Sequence, residues 1–344
     1  MNLTVYDEPG LFEHLKSEWN DLLERSVANR VFSTWEWQSI WWAAYQPGKL
    51  WVIECRADDG RLLGLAPWFI EDNPDLGRIV RSIGCVEVTD YLDLIVDRRH
   101  VGDVLECIAE HVIAHRDQFD VIDLCNLPET SPGYTQFPEV LSKHGFDVKV
   151  SVQEVCPVIQ LPDSWEGYLE TLDKKQRHEV RRKLRRAEGA PEKIDWYIVD
   201  SSRNLDEEIE RFLALMAASH TQKAVFLEDD QNVHFFKAIV PVAYSKGWLQ
   251  LSFLTIGGDA AASYLNFDYG DSVLVYNSGL LPDQYGHLSP GIVLLAYNIQ
   301  HAIETKHKVF DFLRGNEIYK YRMGAKDTHV YMLRAQLVNA GVPA

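Results

Sequence analysis

Residues that could bind a ligand and carry out chemistry are concentrated between His287 and Lys320. Ser289, Pro290 and Gly291 open a segment with apolar residues at three- and four-residue spacing, which predicts a helix that Ser289 caps and Pro290 begins. No Asp or Glu follows in the first turn, and Gly291 leaves room for a ligand to approach the backbone. Because N–H groups at a helix N-terminus attract anions, this end is a candidate site for a pyrophosphate, with an ordinary capped helix as the alternative.

A second group of polar residues follows the next predicted strand. The run from Val309 to Leu313 is too apolar for a half-exposed strand, so it predicts a strand covered on both faces, with Asp311 inside it. Ligands of α/β sheets gather beyond the carboxyl ends of strands, which is where the following residues would lie. An Asp311–Arg314 ion pair with a purely structural role is the alternative. The residues that crowd this end are Arg314, Gly315, Glu317 and Lys320.

The order of the predicted elements repeats along the chain. Each half has a helix, a hairpin, a further strand, another helix and a buried strand, and the hairpin turns fall at 58–60 and 257–259. This repetition predicts an α/β (α+β) protein with two tandem domains, residues 1–155 and 156–344. Each domain is expected to contain a mixed, twisted sheet flanked by helices.

The two predicted copies differ at the start of their second helix. The helix near Gly102 has Asp103 in its first turn, where a carboxylate would compete with a bound phosphate. The helix after Ser289 has no such residue. We therefore expect the first domain to be degenerate and the second to be active.

Composition and charge restrict the classes of function. The 344 residues are 46% hydrophobic and 25% charged, as in a globular protein, and the net charge of −17 argues against DNA binding by the whole surface. The first residues lack the pattern of a signal peptide, and the longest apolar run is too short to cross a bilayer. The five scattered cysteines are expected to be reduced core residues. These features predict a cytoplasmic protein.

One window has the opposite charge to the rest of the chain. Residues 174–186 contain eight Lys or Arg and one Glu, on a predicted helix whose apolar stripe faces inward. Arg181 and Arg185 on its exposed sides are candidate contacts for a phosphate-bearing acceptor, such as a nucleotide-sugar, a lipid-linked glycan or a tRNA. A peripheral contact with a membrane surface and a simple solvated face are the alternatives.

Other catalytic signatures are missing from the sequence. His111 and His115 have the spacing of metal ligands on a helix, but Val112 stands where the HExxH motif requires Glu, so no metal site is predicted. The sequence contains no GxSxG, no GxxxxGK and no GxGxxG that opens a βαβ unit. Hydrolase, P-loop and Rossmann functions are therefore without support.

The strings YNSG, LLPDQYGHLSPG and FDFLRGNEIYK, together with the basic helix, resemble the BioF-like, or CelD-type, acetyltransferase domain of the GNAT superfamily. Members of this family often form tandem pairs and are related to the FemABX peptidyltransferases. The resemblance covers most of residues 155–330. Where the family often continues after the lysine to a tryptophan, this chain has Tyr321, Arg322 and Met323.

The resemblance implies an acyl-coenzyme A donor and an acceptor amine or hydroxyl on a cell-envelope or exopolysaccharide precursor. Lys320 or a backbone N–H would stabilise the oxyanion of the thioester, and Asp311 or Asp268 would act as base or orient the acceptor. Tyr276 would complete the catalytic set, and Arg314, Tyr264 and Asn266 would contact the acceptor. The donor would lie in a cleft between splayed strands and at the helix N-terminus, against Leu288, Ser289, Pro290, Gly291 and Ile292.

Two other functions remain open at this stage. One is a FemABX-like transferase that uses aminoacyl-tRNA. The other is a catalytically inactive pair of GNAT domains that acts as a binding or scaffold module through the basic helix. Binding of coenzyme A separates the first function from these two.

Overall fold

The structure, a computed structural model, describes residues 1–85 and 88–337. The chain forms two compact units, of which unit 1 contains Met1–Val155 and the strand segment from His329, and unit 2 contains Cys156–Thr328. The predicted second domain, 156–344, is wrong at its end, because residues after Thr328 pair with a strand of unit 1. Residues 338–344 of that prediction lie outside the described residues.

Unit 1 alternates helices with strands in an order close to the predicted one. Its elements are β1 (Asn2–Tyr6), α1 (Leu11–Glu24), α2 (Trp35–Tyr45), β2 (Lys49–Arg56), β3 (Leu62–Asn73), β4 (Gly77–Ser82), β5 (Ile95–Val96), α3 (Val101–Ala114), β6 (Val121–Pro128), α4 (Pro132–Thr135), α5 (Phe137–Lys143) and β7 (Phe146–Gln160), the last of which ends in unit 2.

Unit 2 contains the basic helix and the predicted site. Its elements are α6 (Trp165–Thr171), α7 (Lys174–Glu188), β8 (Ile194–Ile198), α8 (Leu205–Ser219), α9 (Thr221–Phe226), α10 (Asp230–Ser245), β9 (Leu249–Ile256), β10 (Asp259–Tyr269), β11 (Ser272–Leu280), α11 (Pro282–Tyr285), α12 (Pro290–Glu304), β12 (Val309–Asp311), α13 (Ile318–Arg322) and β13 (Lys326–Leu337), most of which belongs to unit 1.

The strands of unit 1 lie in the order β1-β2-β3-β4-β6-β13. β4 and β6 are parallel and α3 lies between them in the chain, whereas the other neighbours in this series are antiparallel. The core includes Trp51, Trp68 and Ile108, all nearly inaccessible to solvent. Trp37, Trp41 and Trp42 of α2 are also buried.

The strands of unit 2 lie in the order β7-β12-β11-β10-β9-β8. β11 and β12 are parallel and α12 connects them, and the remaining pairs are antiparallel. Leu295, Ile299 and Ala302 of α12 contribute to the core of this unit. A Cβ on Gly279 of β11 would lie 2.4 Å from the Met216 nitrogen of α8, so only glycine fits this contact.

Both units contain the same series of elements, three antiparallel strands followed by a helix and a parallel strand. The series is β2-β3-β4-α3-β6 in unit 1 and β9-β10-β11-α12-β12 in unit 2. Parallel strands require a crossover, and one helix supplies it in each unit. The predicted tandem α/β organisation with mixed sheets is therefore confirmed.

Residues 126–138 are rich in Pro, Thr, Ser and Gly, which predicts a long surface loop, and this prediction is wrong. β6 continues to Pro128, and two short helices follow it. Ser131 caps the first of these helices, since its hydroxyl oxygen accepts a hydrogen bond from the Tyr134 N–H at 3.1 Å. The Pro, Ser and Gly residues that suggested a loop are thus helix-start signals.

The prediction of five reduced core cysteines is also wrong. Cys85 and Cys125 form a disulfide, with their Cα atoms 6.3 Å apart, and Cys55, Cys107 and Cys156 are free. Cys107 is only partly buried. The cysteines therefore give no support to a reducing compartment.

None of the helices described here has the length and apolar character that crossing a membrane requires. Within residues 1–85 and 88–337, no three His, Cys, Asp or Glu side chains are grouped so as to hold a metal ion. His111 and His115 stack with ring centroids 4.0 Å apart, and burial lowers the pKa of His111 to about 4. The ring of His111 is therefore neutral at pH 7.

Candidate functional site

The N-terminus of α12 has the open geometry that the sequence predicts, with one correction. Ser289 occupies the N-cap position in the left-handed region (φ 54°), but its side chain does not cap the helix. Instead, the Lys183 ammonium of α7 donates to the Ser289 hydroxyl oxygen at 2.7 Å. No acidic residue lies in the first turn, and the nearest atom to a Cβ on Gly291 would be Leu280 Cδ2, at 3.7 Å. An anion could thus approach this backbone without a clash.

The backbone amides at this end have unequal roles. The N–H groups of Ile292 and Val293 both donate to the Ser289 carbonyl, at 3.0 and 3.1 Å. The Gly291 N–H has no acceptor among the residues that the structure describes. At the predicted pyrophosphate site, the Gly291 N–H is therefore an available hydrogen-bond donor, whereas the Ile292 N–H already donates to Ser289.

A pocket of about 310 Å³ lies between α7, the start of α12 and α13. Lys175, Lys183 and Arg322 bring positive charge to its wall, while Glu179 is engaged by Arg182 at 2.6 Å and by Lys183 at 3.5 Å. The Arg182 hydrogen bond lowers the pKa of Glu179. The remaining lining residues are Gln176, Val180, Ile292, Tyr319 and Met323.

The basic helix α7 is thus part of the wall of this pocket. Arg186 of α7 also donates to the His287 carbonyl at 2.9 Å, so two side chains of the helix hold the loop before α12. Arg181 binds Glu166 at 2.6 Å, and Arg185 is exposed and does not line the pocket. The predicted acceptor contacts, Arg181 and Arg185, therefore lie outside this pocket, and Lys183 and Lys175 of the same helix line it.

β11 and β12 separate just beyond the point where they pair. Their parallel ladder covers only three residue pairs, from Ser272/Val309 to Leu274/Asp311, while β11 continues to Leu280. A bulge places Tyr276 as the extra residue of β11 opposite β10. Among the described residues, the second half of β11 therefore has no partner in β12, and the family resemblance implies a cleft at this place.

Asp311 ends β12 and shapes the turn that follows. Its carboxylate is 6% exposed and accepts the Leu313 N–H at 2.8 Å, and Leu313 has a φ of 55°. Such an Asp-stabilised turn ends the strand at Asp311. The predicted strand Val309–Leu313 is accordingly two residues too long. Arg314 follows this turn and is half-buried.

Lys320 has a different role from the predicted one. Its ammonium group is almost fully buried and donates to the carbonyl oxygens of Arg314 at 2.8 Å, Gly315 at 3.0 Å and Leu313 at 3.4 Å. Glu317 lies 2.9 Å away. Because an ammonium group has three N–H donors, these contacts occupy all of them. Lys320 thus holds the loop after β12 and has no donor left for an oxyanion.

Asp268 lies far from the start of α12. It binds His307, which follows the C-terminus of α12, with Oδ1 and Nε2 2.8 Å apart. A helix of 15 residues is roughly 22 Å long at about 1.5 Å per residue, which separates Asp268 from the pocket. The predicted role of Asp268 as an alternative base is therefore wrong.

Of the other predicted strand residues, Tyr264 and Asn266 are buried and Tyr276 is partly exposed. Tyr264 and Asn266 are almost inaccessible, and neither side-chain polar atom of Asn266 has a partner within the described residues. Burial raises the pKa of Tyr264 well above its usual range. Tyr276 packs its ring against Phe236 and Phe267, with centroids 5.8 and 5.1 Å away.

One residue at the cleft has no counterpart among the predicted site residues. Lys223 of α9 donates to the Ser278 carbonyl at 2.6 Å, and burial lowers its pKa to about 8. In the sequence, Lys183 and Lys175 are distinguished only as members of the basic stretch 174–186. Arg322 is distinguished only as a departure from the family pattern. No motif distinguishes Lys223, because its environment depends on a contact 55 residues along the chain.

The Asp268–His307 pair predicts a pH-dependent contribution to stability. The hydrogen bond to Asp268 raises the pKa of His307, burial opposes this, and Asp271 adds to it. Since the folded-state pKa lies above the unfolded value of about 6.5, the contribution is complete below pH 6.5 and is lost as the pH rises through the folded value. His307→Gln should therefore reduce the loss of stability between pH 6 and pH 9, measured by urea unfolding.

Asp268→Asn is the matched variant, because it removes the partner and leaves the histidine. Its stability should change with pH less than that of the wild type, as in His307→Gln. Burial lowers the pKa of neighbouring His301, so both variants must be compared with wild type at each pH. Equal pH dependence in all three proteins would contradict this account of the pair.

Residues 174–321 match the model of a family described as an acetyltransferase (GNAT) domain. This range lies within unit 2 and covers most of it, so the match concerns the second unit. No curated protein matches the chain.

Solved structures share the fold over nearly the whole chain. The crystal structure of FemX has a TM-score of 0.66 at 12% identity and covers 98% of both chains. The structure of L-PGS from Bacillus licheniformis has a TM-score of 0.54 at 10% identity, covering 95% of this chain and 93% of that one. The C-terminal domain of a putative lysylphosphatidylglycerol synthetase from Agrobacterium fabrum has a TM-score of 0.54 at 11% identity, covering 92% of this chain and 91% of that one. At these identities the likeness concerns the fold alone.

Proposed function

We propose that this protein is an acyltransferase that takes its acyl group from a coenzyme A thioester bound at the start of α12. The observation that supports this most strongly is the pocket of about 310 Å³ whose wall carries Lys175, Lys183 and Arg322. A helix N-terminus without acidic residues and three cationic side chains would all favour the phosphates of such a donor. The match of residues 174–321 to a GNAT domain supports the same reaction class.

The proposed reaction is the transfer of an acyl group to an amine or a hydroxyl. The acceptor attacks the thioester carbonyl carbon, the new C–N or C–O bond forms, and the C–S bond breaks. Lys320 holds the loop beside the cleft, and Asp311 sets the turn that opens it. Oxyanion stabilisation is assigned to a backbone N–H along the part of β11 that β12 leaves open.

For the acceptor we retain an envelope or exopolysaccharide precursor, as the family resemblance implies. A precursor with phosphate groups would also suit the exposed arginines of α7, such as Arg182 and Arg185. These same arginines favour the second candidate function, a transferase that takes its acyl group from aminoacyl-tRNA. Its donor would contact the outer face of α7 as a polyanion.

A thermal-shift titration with acetyl-coenzyme A and longer acyl-coenzyme A thioesters tests the donor. A ligand that binds only the folded protein raises Tm in proportion to the logarithm of its concentration above Kd, and we expect this for at least one thioester. Charged tRNA is titrated separately by gel mobility shift. Binding of tRNA without binding of any thioester would favour the second function, and binding of neither would support the scaffold alternative.

A further inference from the structure

Lys223 contacts the open edge of β11. Its Nζ donates to the Ser278 carbonyl at 2.6 Å and lies 3.4 Å from the Ser278 hydroxyl. Ser278 is four residues beyond Leu274, the last residue of β11 that pairs with β12. Lys223 therefore reaches the strand at the cleft between β11 and the loop after β12.

Ser278 lies on β11 between the bulge at Tyr276 and the strand end that contacts the start of α12. Leu280 lies two residues further along the strand, or roughly 7 Å, and its side chain is the nearest neighbour of Gly291 at the start of α12. In the other direction, the bulge at Tyr276 is two residues away. An acyl chain that runs from the start of α12 along β11 would bring its reacting end towards Lys223.

The surroundings of Lys223 favour its neutral form. Burial lowers the pKa of Lys223 to about 8, and the Glu317 carboxylate opposes that shift. Glu317 is itself held by Lys320, with Oε2 and Nζ 2.9 Å apart. By contrast, the exposed Lys49 and Lys143 each bind a carboxylate and have raised pKa values. A fraction of Lys223 side chains is thus neutral and has a lone pair at neutral pH.

We propose that Lys223 is the proton acceptor for the attacking amine or hydroxyl of the acceptor substrate. This rests on the proposed function, since it needs a thioester in the cleft. As the acceptor nitrogen or oxygen bonds to the carbonyl carbon, its proton moves to the lone pair of Nζ. The C–S bond breaks, coenzyme A leaves as thiolate, and the Lys223 ammonium then returns the proton to the thiolate or to water. Two N–H groups of the neutral amine remain for Ser278.

The test uses the full chain with acetyl-coenzyme A as donor and either water or glucosamine as probe acceptor, and measures thiol release. General-base catalysis contributes about 100- to 10,000-fold, so Lys223→Met should lower the rate at least tenfold. Lys223→Arg should be equally impaired, because guanidinium keeps the charge but does not accept a proton. The wild-type rate should rise with a midpoint near pH 8, and the residual rate of Lys223→Met should lack that midpoint.

A binding measurement separates this proposal from the proposed function. Acetyl-coenzyme A should bind both variants within about twofold of the wild-type affinity, because charge-assisted contacts to the donor come from α7 and α13. If wild type and Lys223→Met released thiol at equal rates, the role of Lys223 alone would be overturned. This includes the case in which both rates equal the uncatalysed background. Full activity of Lys223→Arg would do the same. Failure of wild type to bind any thioester would overturn the proposed function instead.

An acceptor-free measurement gives an independent check. Trace acetic anhydride labels neutral amines, so labelling of Lys223 from pH 6 to pH 10, followed by mass spectrometry, reports its protonation. We expect a midpoint near pH 8 and greater reactivity at pH 7.5 than that of exposed Lys306. A midpoint above pH 10, or no labelling at any pH, would rule out the assigned role.

Discussion

Replacing Lys320 by Met is expected to destabilise the protein strongly, even without any ligand. The substitution keeps the apolar part of the side chain but leaves the carbonyls of residues 313–315 without their buried donor. Unsatisfied buried groups of this kind cost about 1–3 kcal/mol each and are not additive, so we expect a loss of about 2–4 kcal/mol in the free energy of unfolding. Urea unfolding of the ligand-free protein measures it.

The control for this variant is Lys308→Met, whose side chain is 63% exposed and lies 3.9 Å from exposed Asp163. A surface pair of this kind contributes about 0–1 kcal/mol, so the control should unfold almost as the wild type does. If Lys320→Met had wild-type stability and only turnover were lost, the oxyanion role predicted from the sequence would be restored. The structural role would then be refuted.

The second large effect is expected from reversing the charge of Lys183. Lys183→Glu removes a cation from the pocket wall and places a carboxylate beside Ser289. A charge-assisted hydrogen bond is worth about 1.5–3 kcal/mol, so the affinity for coenzyme A should fall roughly 10- to 100-fold, with like-charge repulsion adding to the loss. Isothermal titration with coenzyme A measures this change.

Arg185→Glu is the matched control, because it makes the same charge change on the same helix, outside the pocket. Its affinity for coenzyme A should stay within about threefold of wild type, since exposed charges are screened by salt. Lys183→Met should lie between wild type and Lys183→Glu. Equal losses in the Lys183→Glu and Arg185→Glu proteins would mean that the helix acts by its overall charge.

Predictions that rested on local chemistry were the most successful ones. Pro290, Gly291 and the missing acid define the start of α12 within a few residues, and the turn glycines at 60 and 257–258 define the hairpins. Each of these signals depends on the backbone preferences of adjacent residues, so it can be identified from the sequence alone. The tandem arrangement followed from the repeated order of such elements.

The predicted site residues were less accurate because their roles depend on tertiary contacts. Asp268 lies on a suitable strand but at its other end, and only the direction of α12 relative to β10 decides which end meets the pocket. Lys320 stands in the expected motif, yet its contacts with three carbonyls define its role. Lys223 was missed because burial against Ser278 gives it its properties.

The central claim, that the donor binds at the start of α12, is tested most directly by titrating coenzyme A into wild type, Gly291→Asp and Gly102→Asp. Both glycines lie in the first turn of a helix, and neither would bring a Cβ closer than 3.7 Å to another residue. An acid favours a helix N-terminus, so both variants should remain folded. We expect wild type and Gly102→Asp to bind coenzyme A. In Gly291→Asp the affinity should fall at least 30-fold, which corresponds to about 2 kcal/mol. The reason is that the new carboxylate would repel the pyrophosphate and occupy its place. Wild-type affinity in Gly291→Asp would contradict the claim and place the donor elsewhere.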